Sequence, residues 1–198
     1  MSRTARTAAV ASVGALLVLA GSAHAAAPGP KTLVVTDASG DAAPLKGDLV
    51  KVTYTTTGTK TKTTYTPKSL VVTIETADAI DTSGTTTYEV DAELAGCEGG
   101  FDLYFTPGVD GSEGGGCLNG SGTSITSEGV DGPPVVNGKT MTWTIPFKSV
   151  SGQLKAGAVI SGIDAYTGLV EPATGIIGPY LLGFVNDDAT TDSTYKIG

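Results

Sequence analysis

Beyond its first 25 residues this chain reads as all-β, an antiparallel two-sheet β-sandwich of jelly-roll or immunoglobulin-like type, built as one domain over residues 26–198. Apolar and polar residues alternate with period two, and almost nowhere with the helical period. Thr, Val and Tyr, which suit a pleated half-buried surface, fill the alternating runs. Chain-reversal pairs separate those runs: Ser39-Gly40, Lys46-Gly47, Ser83-Gly84, Asn119-Gly120 and Asn137-Gly138. A closed barrel carries the same signature, so the sequence leaves sandwich and barrel as alternatives.

Each element follows from its own pattern. Residues 32–36 (TLVVT) form a first apolar strand. Val50, Val52 and Tyr54 then alternate with Lys51, Thr53 and Thr55. Lys51, Lys60, Lys62 and Lys68, interleaved with threonines, read as a solvated hairpin. Leu70, Val72 and Ile74 form the next inward set. Over residues 87–94, Tyr88, Val90, Ala92 and Leu94 share one face. Glu89, Asp91 and Glu93 share the other, which reads as a solvated outer face that discourages edge aggregation. Phe101, Leu103 and Phe105 follow. Residues 106–134 are polar and glycine-rich, and read as a long excursion with a short strand near 124–127. Asn137-Gly138 predicts a hairpin into residues 140–147, where Met141, Trp143, Ile145 and Phe147 point inward.

The first 25 residues read as a secretory signal: Arg3 and Arg6 as the basic start, residues 8–20 as the apolar stretch, and Ala23-His24-Ala25 as a small-x-small cleavage site. The apolar run is short for a bilayer span, and no later segment is long and apolar enough to make one. The expected product is secreted. In that oxidising setting Cys97 and Cys117, the only cysteines, are expected to form one disulfide bracing a glycine-rich loop over about residues 97–134.

The only arginines, Arg3 and Arg6, and the only histidine, His24, fall inside the signal. The whole chain carries 20 acids against 12 Lys and Arg, a formal charge of −8. Without histidine for acid–base work or arginine for planar anion binding, hydrolysis by a Ser or Cys nucleophile, phosphoryl transfer and nucleic-acid binding are disfavoured. Haem is disfavoured too, because Met141 is the one remaining ligand type. A carboxylate pair is the only catalytic route left, and the expectation is a protein that is not an enzyme. Hard cations suit the chain better.

The sharpest candidate is Asp37-Ala38-Ser39-Gly40-Asp41, followed by Asp48, between the first two strands. Two carboxylates around a Ser-Gly bend can point several oxygens at one place, which suits the all-oxygen shell of calcium. The same spacing also reads as a locally bonded Asx turn. A strand, then Asp-x-x-Gly-Asp, then an acid opening the next strand resembles the start of secreted bacterial β-sandwich domains related to family 9 carbohydrate-binding modules and the DOMON-like group. Ser161-Gly162-Ile163-Asp164, Asp187-Asp188-Ala189 and the closing Tyr195-Lys196-Ile197-Gly198 resemble their ends. The resemblance implies terminal strands lying side by side, with Asp37 and Asp41 as calcium ligands and Asp48, Asp187 and Asp188 as their partners.

The expected function is a secreted, calcium-stabilised binding or cell-surface-associated module, its partner an extracellular polysaccharide or a cell-surface protein. One alternative is a carbohydrate-binding module. Against it, Trp143 alternates with Met141 and Ile145 as a core residue, which leaves Tyr104, Tyr166 and Tyr180 for sugar stacking. Another is a protein-interaction or protease-inhibitor domain presenting the disulfide loop, which lacks an aromatic or arginine anchor.

Overall fold

The structure, a computed structural model, describes residues 29–42, 47–110, 113–119, 126–130, 132–149, 153–171 and 180–197. The export signal lies outside the described residues. Twelve strands run in chain order: β1 Thr32–Thr36, β2 Leu49–Lys60, β3 Tyr65–Thr76, β4 Thr86–Leu94, β5 Phe101–Phe105, β6 Glu113–Asn119, β7 Thr126–Gly129, β8 Val135–Asn137, β9 Thr140–Pro146, β10 Val159–Glu171, β11 Tyr180–Thr191 and β12 Tyr195–Lys196. Among the described residues one 3-10 turn, Phe147–Ser149, follows β9. Among the described residues no helix is long and apolar enough to cross a membrane.

These strands make two antiparallel sheets rather than one closed barrel. One has the order β1-β2-β3-β9-β8. The other has the order β11-β10-β4-β5-β6-β7, with β12 taking up β10 where β11 leaves off. Alternation puts one apolar face of each sheet into a shared core. Tyr54, Leu70, Val72, Ile74, Met141, Trp143 and Ile145 come from the first sheet, and Tyr88, Val90, Phe101, Leu103, Ile160 and Ile163 from the second. The Asn137-Gly138 hairpin forms as expected, with Asn137 opposite Thr140 and Gly138 at φ 60°.

Two local expectations are corrected. The register of β2 on β3 shifts between Leu49 and Lys51, so Leu49, not Val50, joins Val52 and Tyr54 in the core. An extra residue in one strand moves the inward phase by one. The glycine-rich segment is not a free excursion either. Gly114–Gly116 lie within β6, which pairs with β5 from Glu113 opposite Phe105 to Cys117 opposite Phe101. A Cβ on Gly115 would stand 2.3 Å from the Asp102 carbonyl oxygen, and one on Gly114 would stand 2.9 Å from the Tyr104 hydroxyl. Glycine is what lets β6 lie this close to β5. β7 then occupies residues 126–129, overlapping the short strand expected near 124–127.

Cys97 and Cys117 form the disulfide, with Cα atoms 5.1 Å apart. Both are buried in the core cluster. The bridge ties the turn after β4 to β6, and the chain between the two cysteines includes β5 and the first part of β6 rather than one presented loop.

Candidate cation site

Both ends of the described chain meet at one edge of the sandwich. β11 packs against β1 and β2, and the Tyr195 hydroxyl donates to the Lys31 carbonyl at 3.0 Å. Asp37 leaves β1 while its amide still donates to the Val50 carbonyl, 3.1 Å away. The chain then bends through Gly40, at φ 94°, a left-handed conformation that glycine accepts without a Cβ clash. The Gly40 amide donates to Asp48 Oδ2 at 2.7 Å, so Asp48 holds the bend from below. The next amide, Leu49 N–H, donates to Asp187 Oδ2 at 2.5 Å and ties β11 to the start of β2.

The β10–β11 register slips beside this point: Thr167 faces Asp187, but Gly168 faces Val185, so Asn186 is an extra residue on β11. Such a bulge re-aims the adjoining side chain. Asp187 faces inward and is 8% exposed, while Asp188, one residue on, is exposed on the opposite face.

Asp37, Asp41 and Asp187 each bring an oxygen within 4.8 Å of the other two. Ligands on opposite sides of a calcium ion at 2.3–2.6 Å are roughly 4.6–5.2 Å apart, so this spacing matches one shared coordination centre. Asp48 is 4% exposed, and among the described residues its Oδ1 has no hydrogen-bond partner; neither has the buried Asp37 Oδ2. A buried carboxylate oxygen without a donor is costly unless a cation or a water serves it. Burial, reinforced by the charges of Asp37, Asp41 and Asp48, pushes the Asp187 carboxyl up to about 6 despite the Leu49 N–H bond that opposes the shift. Among the described residues no lysine pairs with any of these four acids. The donor set is all oxygen and fits a hard divalent cation.

Of the five acids singled out in the sequence, the structure therefore brings Asp37, Asp41 and Asp187 together and sets Asp48 beneath them. Asp188 does not join them. It lies opposite Tyr166 in the register, on the outer face of the second sheet, where its charge acts on Asp164.

That outer face holds a second acidic group the sequence reading missed. Glu89, Asp91 and Glu93 do face away from the core, but Glu89 and Asp91 are half-buried, and Asp91 has acidic neighbours on both sides. Asp91 lies opposite Asp102 of β5 and Asp164 of β10, and Glu89 lies between Tyr104 and Tyr166. Only register across three strands reveals the grouping.

Comparison of the chain with protein-family models, curated proteins and solved structures returns no match.

Proposed function

We propose that this protein is an exported, non-enzymatic β-sandwich module in which one calcium ion ties the bend after β1 to β11, and that it serves a binding or cell-surface-associated role. The observation that carries the reading is the meeting of Asp37, Asp41 and Asp187 beside the buried, unpartnered Oδ1 of Asp48. Calcium accepts six to eight oxygens in irregular geometry, whereas magnesium asks for a near-ideal octahedron. Backbone carbonyls of the Asp37–Asp41 bend and waters complete the shell. The likeness to family 9 carbohydrate-binding modules and DOMON-like domains supports the same placement, since it implies acids from both ends sharing a cation. Export is supported by the leader-like residues 1–25 and by the disulfide. A non-enzymatic role is supported by the confinement of histidine and arginine to those residues. A sugar partner would rest on tyrosines such as Tyr104 and Tyr166, because Trp143 belongs to the core.

Calcium titration by calorimetry, with and without Asp187→Asn, tests the proposal. One tight site in the native protein, lost in the variant, is the expected result. Absence of saturable calcium uptake by the folded native protein would remove the cation from the account.

A further inference from the structure

The second acidic group opens into a cavity of about 870 Å³. Its walls include Asp91 and Glu93 of β4, Ser161 and Asp164 of β10, Glu98 of the disulfide-braced turn, and Val159. The volume lies in the range of small-molecule sites. Among the described residues no lysine or arginine lines it.

The local fold concentrates the charge there. The β4–β10 register slips between Ser161 and Asp164, placing both Ile160 and Ile163 in the core and turning Asp164 outward beside Asp91. Gly162 occupies the slip at φ 54°, where a Cβ would press on Glu93 at 3.3 Å. Ser161 Oγ donates to Glu93 Oε2 at 3.1 Å and steadies that carboxylate at the rim. Behind Asp91 stands Asp102, on the face away from the core yet only 7% exposed, and its Oδ1 has no partner among the described residues. The half-buried Asp164 also has an unpartnered Oδ1. These carboxylates face one another with no cation between them among the described residues.

From this geometry we infer that the cleft between the β4–β10 bulge and the Cys97 turn binds alkylammonium groups, as carried by a polyamine or a lysine side chain. An ammonium donates N–H bonds to the carboxylates of Asp91, Glu93 and Asp164 that line the cleft, and their charges compensate its own. Its alkyl stem finds an apolar surface in Val159, which is 41% exposed. The cleft differs from a metal centre in its dimensions. Among the described residues Asp37, Asp41 and Asp187 are the one set of three acids whose ligand atoms converge within 4.8 Å. The cleft acids stand wider apart around a space far larger than an ion. Burial and mutual repulsion already raise Asp91, Asp102 and Asp164 above the usual carboxylate range, and a bound ammonium would relieve that repulsion.

The test is calorimetric titration of the intact, calcium-saturated protein at neutral pH and low salt, using spermidine, trilysine amide and its Nε-acetylated form. Saturable one-to-one binding of spermidine or trilysine is expected, with no binding of the acetylated peptide. Tighter binding of trilysine identifies a lysine-bearing polypeptide as the natural source of the group, and tighter binding of spermidine a free polyamine. Asp164→Asn and the rim variant Glu93→Gln should each weaken binding, the former by roughly tenfold or more. Failure of both amines to bind, equal binding of the acetylated peptide, or unchanged affinity in folded Asp164→Asn would overturn the inference. Displacement of the amine by excess calcium at the same stoichiometry would reassign the cleft to a metal. Because calcium is saturating throughout, a negative result here leaves the Asp37–Asp187 proposal standing.

Discussion

Asp37, Asp41 and Asp187 reach one point from a bend and a bulged strand far along the chain, with Asp48 beneath them, whereas Glu89, Asp91, Asp102 and Asp164 stand on three adjacent strands in register. The first group is closed by tertiary contact and is narrow enough for one ion. The second is spread by the strand spacing and is wide enough for an organic cation. Asp81 is a useful control. Burial alone would raise its carboxyl, yet hydrogen bonds from Ser83, Thr85 and Thr86 hold it at about 2. A carboxylate with enough donors is comfortable in this fold. The raised carboxyls of Asp187 and Asp102 belong to residues in groups with too few donors, and this is what marks both groups as places for a positive ligand.

The largest expected effect comes from the disulfide, which braces the turn at the cleft and not the Asp37–Asp41 bend. Replacing both Cys97 and Cys117 by Ser should cost roughly 3 kcal/mol for a loop of this length. Thermal melts with and without calcium should show the same loss, since distant sites add. A loss that vanished without calcium would mean that the two regions are not independent.

Calcium comes next. At a free concentration about a hundred times its Kd, a bound ion stabilises by about 2.7 kcal/mol. For a chain of this size that is a Tm shift of about 5–11 °C on chelation. The shift should disappear in Asp187→Asn. An equal shift remaining in that variant would place the ion elsewhere.

The same chemical change should act in opposite directions in the two groups. In calcium, Asp187→Asn removes a ligand charge and destabilises. Asp102→Asn keeps an acceptor for the Gly116 amide and offers a new donor toward Asp91, so the free protein should gain about 1 kcal/mol. Calcium-saturated melts of the two variants would separate the groups in one experiment. Destabilisation by both would mean that Asp102 already has a donor.

The sequence carried the fold well because most inward sets keep strict alternation: Leu70, Val72, Ile74 and Tyr88, Val90, Ala92, Leu94 are all buried. It failed on β6, whose glycines have no side chains to alternate. It also failed at the bulge near Leu49, where one inserted residue changes the phase without any turn signal. Asp37, Asp41 and Asp48 were legible because they are neighbours in the chain. Asp187 entered only through a family likeness, and its separation from Asp188 depends on strand alternation beside the Asn186 bulge. The cleft was invisible: Glu89, Asp91 and Glu93 looked like an ordinary outer stripe until β5 and β10 brought Asp102 and Asp164 alongside.

The smallest effect is the pH dependence of the outer face, and its sign is distinctive. Glu89 is pushed up to about 7, first by burial and then by Asp91 and Asp102, although the Tyr166 hydroxyl works the other way. Asp102 is pushed up to about 6 by burial and by Asp91. Asp164 and Asp91 are raised as well, by burial and, for Asp164, by the charge of Asp188 on β11. A carboxyl whose folded pKa exceeds its unfolded value binds protons more tightly when folded. The penalty is therefore fully present above the folded values and is relieved as pH falls through about 7 toward about 4. In chelator, Tm should rise on acidification across that window, opposite to a protein held by paired carboxylates. Glu89→Gln should flatten the upper part of the rise, between about pH 8 and about pH 6, and leave the lower part to Asp102 and its neighbours together with Asp187. Saturating trilysine should flatten the share of the rise that comes from the cleft acids and leave that of Asp187, because an ammonium in the cleft would supply the positive charge that protons otherwise provide there. A Tm that fell steadily over the same range would mean that these carboxylates are satisfied in the fold, and the cleft would then have no need of a cation.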